Sequence, residues 1–326
     1  MARILGMGNA LMDIMTQIPN DSILNELKLR KGDMQLVDID TIRRALTLTA
    51  DCPRRHMAGG SAANTIRSIA RLGVGSGFIG KIGSDRQGEL VRQSLIDAGI
   101  RPILHESRAR SGHALALVTP DFERTFATFL GAAGTLNTND LSPNDFVGYD
   151  IFHMEGFIVQ NHTLLERTLA IAKSVHQHVS IDLGSFSIID ENHSFLRRVL
   201  PGHVDIIFVN QEEARAFTGK PTNEAINELA GYCKVAVIKL GAQGAIAQRG
   251  DEIVSALALD VPCVDTTGCG DYFNAGFLYG LIQEWPLQQC VEFGCYMGAC
   301  IIQHVGANMP EEVWAQIRSH AKSIAG

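Results

Sequence analysis

The chain has 326 residues, of which 46% are hydrophobic and 19% charged, a balance typical of globular proteins that excludes a disordered or fibrous chain. Its formal net charge of −7 and the lack of long Lys/Arg runs argue against nucleic acid as a partner. No signal peptide and no membrane-spanning apolar stretch are found, so we expect no membrane partner and a cytoplasmic location.

The seven cysteines are odd in number and lack C-x-x-C spacing. Neither a disulfide framework nor a zinc site is therefore indicated, and we expect reduced thiols that mostly pack in the core.

The first half of the sequence predicts βα units interrupted by an irregular insertion. Residues 4–7 form a short apolar run and lead into a polar loop, which places Asp13 at a strand end, where open α/β sheets bind ligands. Residues 16–57 show no sustained period and suit a lid. Further predicted elements are a Gly turn at 59–64 with a helix that ends at Gly73, a strand at 74–82, a helix at 88–98, and a hairpin of 113–118 and 125–130.

The second half alternates more regularly between apolar runs and helical patterns. Such an order predicts parallel βαβ units and a sheet covered by helices on both faces, within a single α/β body. The predicted strands are 151–154, 179–182, 206–209, 235–239 and 245–249, and the predicted helices are 163–177, 192–200, one from residue 212, and 272–282.

The chemistry is concentrated in residues 265–276, a stretch of small residues directly before a predicted helix. Such a turn leaves backbone N–H groups free at the positive end of the helix and therefore binds anions. Gly268 and Gly270 permit close backbone approach to a phosphoryl group, and Asp271 is the first side chain after them. On these residues alone, an ordinary turn with Asp271 as a helix cap is the stronger interpretation.

The complete string changes that interpretation. D-T-T-G-C-G-D-x-F-x-A-G-F at residues 265–277 resembles the second signature of the ribokinase-like (PfkB) family of carbohydrate and nucleoside kinases, and G-G-S-A-A-N at 59–64, with the segment to residue 88, resembles the other. The resemblance covers essentially the full length. It implies a ribokinase-like three-layer α/β/α sandwich with a mostly parallel central sheet, formed as one domain over residues 1–326. A small β lid would come from insertions at about 14–57 and 100–130.

The resemblance also implies catalytic roles. The family's catalytic base matches Asp271, and its anion hole matches Gly268, Cys269 and Gly270. Cys269 departs from the family's usual Ala. Its side chain is small enough to preserve a hole made of backbone N–H groups, and we favour packing over redox control, although a helix N-terminus can lower a thiol pKa.

The nucleotide side is implied by three further segments. Asn210 and Glu213 match an N-x-x-E motif in which Glu213 would organise Mg²⁺ through water, although a helix cap is the simpler interpretation of these residues alone. Lys239 ends a strand in a Gly-rich turn and reaches either a phosphate or solvent. The expected ATP-binding residues are Asn210, Lys239, Gly241, Gly244, Gly268, Gly270 and Asn308. There is no Walker-type phosphate loop. Asp265 and Thr267 match residues that hold a monovalent cation, so K⁺ dependence is a hypothesis.

On the acceptor side, the family positions that hold hydroxyl groups match Asn9, Asp13, Gly59, Gly60 and Asn64. Arg124, on the predicted hairpin, either moves toward the phosphates on closure or is a solvated charge. Segments 8–14, 32–38 and 155–157 are most similar to the adenosine-kinase-like branch of the family.

These observations predict an ATP- and Mg²⁺-dependent kinase that phosphorylates a primary hydroxyl of an adenosine-like nucleoside, as a monomer or homodimer. Two alternatives remain open. One is a sugar kinase of the same family, acting on ribose, fructose or a related carbohydrate, and the other is a non-catalytic sugar or nucleoside sensor.

Overall fold

The structure is a computed structural model that describes residues 2–32, 34–121 and 123–325, the last without its side chain. Two residues of the segments named above lie outside the described residues: Asp33, in the segment 32–38, and Phe122, close to Arg124.

The centre of the molecule is a nine-stranded sheet in the order β14-β13-β12-β11-β10-β9-β1-β5-β6. Neighbouring strands are parallel from β12 to β6, whereas β13 and β14 pair antiparallel at one edge. Its strands are β1 Ile4–Met7, β5 Ser76–Gly83, β6 Ile100–Ser107, β9 Ile151–Glu155, β10 His178–Asp182, β11 Ile206–Asn210, β12 Val235–Lys239, β13 Ala245–Arg249 and β14 Glu252–Ala256.

A second sheet of five strands, here called the lid sheet, lies beside it in the order β3-β8-β7-β2-β4. Its strands are β2 Leu11–Gln17, β3 Met34–Leu36, β4 Arg54–Gly59, β7 Gly112–Val118 and β8 Arg124–Phe129. Strands β7 and β8 form the predicted antiparallel hairpin.

Helices cover both faces of the central sheet because side chains alternate along its strands. Ile4 packs on one face with α3, α4 and α10 to α12, whereas Leu5 and Met7 pack on the other face with α5 to α9. The helices are α1 Ser22–Leu27, α2 Ile39–Leu48, α3 Ser61–Arg71, α4 Arg86–Asp97, α5 Pro143–Phe146, α6 His162–Ser174, α7 Phe186–Val199, α8 Gln211–Thr218, α9 Thr222–Ala230, α10 Cys269–Ile282, α11 Leu287–Ile301 and α12 Glu311–Ala325. The predicted three-layer α/β/α fold is confirmed.

Several local predictions need correction. Asp13 lies inside β2 of the lid sheet and not in a loop after β1, because the chain enters a new strand at Leu11. Residues 100–107, placed in the second lid insertion, pair with β5 as the edge strand of the central sheet. The lid sheet therefore resumes only at Gly112.

Two helix predictions also differ from the structure. Helix α7 begins at Phe186, six residues before the predicted start, and the helix predicted from residue 212 is two helices separated at Gly219. Gly219 adopts a left-handed φ of 69°, which ends α8. No helix among the described residues is both long and apolar enough to cross a membrane.

Candidate active site

The carboxyl ends of the parallel strands place polar side chains along one edge of the central sheet. Asn9 follows β1, while Glu155 and Asp182 end β9 and β10 and are register partners. Asn210 and Lys239 end β11 and β12 and are likewise register partners. Polar side chains that could contact a substrate therefore form a row across five strands of the central sheet.

Asp271 lies in the first turn of α10 and faces α3. Its Oδ1 accepts a hydrogen bond from Ser61 Oγ at 2.6 Å, and its Oδ2 accepts one from Asn64 Nδ2 at 2.8 Å. The N-cap residue of α10 is Gly268, in the left-handed region at φ 78°, and no side chain caps the helix there. The carboxylate is thus held by another helix, and the helix-cap interpretation of Asp271 does not describe this structure.

The environment of Asp271 raises the pKa of its carboxyl group. Burial raises its pKa, the hydrogen bonds from Ser61 and Asn64 lower it, and the Asp182 charge raises it again, so that the pKa is about 6. At neutral pH the group is a carboxylate, yet it accepts a proton far more readily than an ordinary Asp.

The turn before Asp271 has the geometry of an anion cradle. Backbone N–H groups of Gly268 and Gly270 donate to no acceptor within the described residues, whereas the Cys269 N–H already donates to Thr266 O at 3.1 Å. A Cβ on Gly268 would lie 2.9 Å from Ala307 Cβ, and one on Gly270 would lie 3.2 Å from Lys239 Nζ. A side chain at either position would enter the space of the cradle, which glycine leaves open. Of the three backbone amides expected in the anion hole, those of Gly268 and Gly270 are free within the described residues.

The Cys269 side chain points away from the cradle. Its Sγ lies 3.9 Å from Gly298 O, on α11. Burial raises the pKa of the thiol, which outweighs the lowering effect expected at a helix start. Packing between α10 and α11 is therefore its observed role.

Lys239 is largely shielded from solvent and paired. Its Nζ is 2.6 Å from Asp182 Oδ2, and the two side chains are 16% and 5% exposed. Burial alone would lower the pKa of Lys239, but the charges of Asp182 and Glu213 raise it above its usual value. The ammonium group is thus charged and lies against Gly270 in the cradle.

Glu213 is engaged in a helix capping box with Asn210. Its two carboxylate oxygens accept from Asn210 Nδ2 at 2.7 Å and from Asn210 N at 2.8 Å, while Glu213 N donates to Asn210 Oδ1 at 2.8 Å. Burial and the Asp182 charge raise the pKa of Glu213 to about 7. The simpler interpretation from the sequence, a helix cap, describes these contacts.

A cavity of about 230 Å³ lies between the lid sheet and the start of α10. Its polar side includes Asn9, Asp13, Asn64 and Asp271, which the sequence analysis assigned to the site. The rest of the lining is mostly apolar and comes mainly from the lid sheet, which also carries Asp13. The apolar lining residues are Leu11, Met34, Leu36, Ala114, Phe126, Leu130 and Phe157.

Glu155 fixes Asn9 at the polar side of the cavity. Glu155 Oε1 accepts from Asn9 N at 2.9 Å and from Asn9 Nδ2 at 2.7 Å, and Oε2 accepts from Ala62 N at 3.0 Å. Burial raises the pKa of Glu155 to about 7 despite these hydrogen bonds. Glu155 thereby ties the end of β1 to the start of α3.

Asp13 packs against Gly59, where a Cβ would lie 2.0 Å from Asp13 Oδ1. Burial raises the pKa of Asp13 to about 7, partly offset by Arg67 and reinforced by the charges of Asp271 and Glu155. Gly60, at φ 97°, lines the cavity at the start of α3. Gly59 thus supports the carboxylate and does not itself form part of the cavity wall.

Three residues that line the cavity carry buried polar atoms without a hydrogen-bond partner among the described residues. These atoms are Asn64 Oδ1, Thr128 Oγ1 and Thr267 Oγ1. Because an unmet buried polar atom costs about 1–3 kcal/mol, their presence around one cavity indicates that a polar ligand or water completes the site.

Arg124 reaches from the lid sheet to the turn before α10. Its Nη1 is 2.6 Å from Asp265 Oδ1 and 3.3 Å from Thr266 Oγ1. Asp265 also accepts from Thr267 N at 2.6 Å and from Gly306 N at 2.7 Å. The guanidinium group therefore already neutralises one of the two residues expected to hold a monovalent cation.

The remaining nucleotide residues lie farther along the chain. Gly241 and Gly244 have φ values of 59° and 93°, and a Cβ on Gly244 would collide with Ala256 O. Asn308 is exposed in a separate cleft beside Met57 and Pro310, and does not line the cavity between the lid sheet and α10.

The side chains of this site suit Mg²⁺ that binds together with a nucleotide better than a metal ion held permanently by protein ligands. Within the described ranges, no group of three or more His, Cys, Asp or Glu side chains is placed to hold a metal ion. Glu213, however, has a pKa raised by burial and by the Asp182 charge, and such a carboxyl group gains from a nearby cation.

The sequence analysis missed Asp182, Asn274, Glu155 and Ser61 as site residues. Asp182 ends a mostly buried strand. The rule that open α/β sheets bind ligands at strand ends, which drew attention to Asp13, applies to Asp182 equally well. Asn274 is buried inside the apolar α10, and only the fold brings it to Asp182.

Comparisons with known proteins agree with this fold. The model of the pfkB family carbohydrate kinases matches residues 44–314. Adenosine kinase 2 of Arabidopsis thaliana is 23% identical over 333 residues, which cover 95% of this chain and 96% of that protein. The crystal structure of adenosine kinase from Sinorhizobium meliloti has a TM-score of 0.89 at 28% identity, covering 98% of this chain and 99% of that chain. A probable sugar kinase from Rhizobium etli CFN 42 has the same TM-score of 0.89 and 28% identity, covering 98% of each chain.

The fold and these matches thus define an α/β phosphotransferase. The chain belongs to the pfkB family of carbohydrate kinases.

Proposed function

We propose that this kinase transfers the γ-phosphoryl group of ATP to a primary hydroxyl of a nucleoside, with Asp271 as the general base. The observation that carries the proposal is the mixed lining of the cavity. Its polar groups accompany Asp271, and most of its apolar groups come from the lid sheet, which also carries Asp13. A ribose suits the polar groups, and a flat base that buries apolar surface suits the apolar ones.

On the polar side, Asp13, Asn9 and Asn64 would hold the ribose hydroxyls. A carboxylate and two amides offer the paired donors and acceptors that neighbouring hydroxyls need. The unpartnered Asn64 Oδ1 would accept from the nucleoside, since Asn64 Nδ2 is occupied by Asp271. Asn64 would then link the acceptor directly to the base.

On the nucleotide side, the free amides of Gly268 and Gly270 and the Lys239 ammonium would surround the transferring phosphoryl group. Asn210, Gly241, Gly244 and Asn308 would complete the ATP site. Mg²⁺ would neutralise phosphate charge when bound, and Glu213 is the residue of this chain that would hold its water shell.

The proton of the attacking hydroxyl would pass to Asp271. Asp13 and Glu155 also line the cavity, but Asp271 is the carboxylate that directly follows Gly270 in the cradle. Asp182 is engaged by Lys239, and Glu213 by Asn210. Glu155 accepts from Asn9 and Ala62, so its role would be to orient the acceptor site. Closure of the lid sheet would exclude water from the transfer.

We extend the proposal to a monovalent cation at Asp265 and Thr267. Thr267 Oγ1 is buried without a partner, which suits an ion or water ligand, but a cation would share Asp265 with Arg124. Turnover would be compared in potassium and in choline buffers. Equal rates in the two would contradict the cation site.

A sugar kinase is the second candidate, because the polar side of the cavity alone would suit a free sugar and one structural relative is described as a probable sugar kinase. ATP consumption with a panel of nucleosides, ribose and fructose would separate the two candidates. We expect a nucleoside to have the highest kcat/KM. A free sugar turned over more efficiently than every nucleoside would overturn the proposed acceptor.

Phe126→Ser sharpens this test because it removes apolar surface from the base side of the cavity and leaves the polar side intact. We expect a fall of roughly 10- to 100-fold in kcat/KM for the nucleoside and little change for any sugar that reacts. An equal loss with both acceptors would indicate general damage and not base recognition.

A further inference from the structure

A buried polar cluster behind the anion cradle joins three elements through Asp182. Asp182 Oδ2 is 2.6 Å from Lys239 Nζ, on β12, and accepts a hydrogen bond from Asn274 Nδ2, on α10. Its Oδ1 accepts from Gly184 N at 3.1 Å. Asn274 lies one turn after Asp271 on α10, so this cluster connects Lys239 directly to the helix that carries the base.

Asp182 is poorly suited to a direct role in the chemistry. Its carboxylate is 5% exposed, and both of its oxygens are engaged by protein groups. Burial raises the pKa of Asp182, but the charge and hydrogen bond of Lys239 and the hydrogen bond of Asn274 outweigh it and leave the pKa below its usual value. Asp182 therefore stays ionised near neutral pH, and its lowered pKa and engaged oxygens make it a poor proton acceptor.

Lys239, by contrast, has a chemically useful position. A Cβ on Gly270 would lie 3.2 Å from Lys239 Nζ, so the ammonium group contacts the glycine whose free N–H faces the cradle. A lysine side chain is flexible and holds such a position only if another group fixes it. Asp182 is the only residue of the described chain that forms an ion pair with Lys239.

We infer that Asp182 is a positioning residue, which holds the Lys239 ammonium against the cradle where the transferring phosphoryl group binds. Asn274 sets the distance between this ion pair and α10. The charge of Lys239 is thereby held in place for the terminal phosphate. It contributes less to binding of the rest of the nucleotide. This inference rests on the proposed ATP site.

The test compares two nucleotides in calorimetric titrations of the full-length protein with Mg²⁺: a non-hydrolysable ATP analogue with an imido bridge, and ADP. Asp182→Asn keeps the shape of the side chain and removes its charge. We expect the variant to bind the ATP analogue roughly 10- to 100-fold more weakly, and ADP less than about threefold more weakly. The difference arises because only the analogue carries a terminal phosphate at the cradle.

A matched control is Asp140→Asn, which breaks another largely buried Lys–Asp pair, Lys81 with Asp140 at 2.8 Å, outside the proposed site. This variant should lose stability without changing the ratio of the two affinities. In a Lys239→Met background, Asp182→Asn should have no further effect on the ratio, since a residue that acts through Lys239 has nothing left to position.

Breaking a buried pair can prevent folding, so Asn274→Ala provides a second variant that leaves both charges in place. Asn274→Ala should also weaken binding of the ATP analogue selectively, but by a smaller factor than Asp182→Asn. Equal weakening of both nucleotides in Asp182→Asn or Asn274→Ala, or no weakening, would overturn the inference. Failure of the wild-type protein to bind either nucleotide would instead overturn the proposed ATP site.

Discussion

Asn64 Nδ2 donates a hydrogen bond to Asp271 Oδ2 at 2.8 Å across 207 residues of sequence. Ser61 Oγ, one turn earlier on α3, donates to the other carboxylate oxygen at 2.6 Å. The two contacts fix the orientation of the carboxylate between the acceptor cavity and the cradle. The two glycine-rich signatures of the sequence therefore meet at a single side chain.

This relationship predicts the pH dependence of the enzyme. Since the base must be ionised, kcat/KM should rise with pH with a midpoint near the pKa of Asp271, about 6. Ser61 donates to the carboxylate and so lowers this pKa; Ser61→Ala should move the midpoint to higher pH. In profiles of kcat/KM from pH 5 to 9, Ser61→Ala should lose more kcat/KM relative to wild type at pH 6 than at pH 8. A midpoint that stays in place or moves down would contradict this role of Ser61.

Gly59→Ala should disturb the acceptor site selectively. The added Cβ would lie within 2.0–2.2 Å of the Asp13 carboxylate atoms, which must then move. We expect the KM of the acceptor to rise roughly tenfold or more while the KM of ATP changes little. Gly75→Ala, where a Cβ would meet only the flexible Arg3 side chain at 3.3 Å, is the matched control. A rise confined to the KM of ATP would contradict the assignment of Asp13 to the acceptor-binding part of the site.

Arg124→Met should weaken the contact between the lid sheet and the catalytic turn. The Arg124–Asp265 pair is largely buried, at 14% and 1% exposure, and its loss leaves Asp265 uncompensated. We expect kcat/KM to fall roughly 10- to 100-fold. Lys31→Met, which removes an exposed lid pair with Asp121, should change kcat/KM less than about twofold. Equal effects of the two variants would show that Arg124 has no special role.

Cys269→Ala should be nearly neutral, with kcat/KM within about threefold of wild type, because the thiol contacts α11 and not the cradle. In mass spectrometry after brief treatment with a thiol reagent, the exposed Cys263 should be labelled and Cys269, which is only partly exposed and has a raised pKa, should be largely spared. Rapid labelling of Cys269 with matching loss of activity would contradict its packing role.

The sequence predicted the layered fold because apolar strands and helices alternate with clear periods in the second half of the chain. It also placed Asp271, Gly268 and Gly270 together, since they are adjacent in sequence. The lid was harder to delimit. Residues 100–107 were assigned to the second lid insertion, and only the pairing of β6 with β5 shows that they belong to the central sheet.

Contacts between distant residues could not be predicted from local pattern. Lys239 was assigned to phosphate or to solvent, because nothing near it in sequence indicates Asp182, 57 residues away. Glu213 shows the opposite case: its capping box is local, and the local interpretation describes its contacts. Whether Glu213 also serves Mg²⁺ depends on groups that arrive with the nucleotide.

The most direct test of the account is Asp271→Asn. The amide keeps the size of the side chain but cannot take a proton, so kcat should fall by at least roughly 10²- to 10⁴-fold. Calorimetry should show that ADP binds with nearly unchanged affinity, because the amides of Gly268 and Gly270 and the Lys239 ammonium remain. A variant that keeps near-wild-type kcat with its best acceptor would contradict Asp271 as the catalytic base.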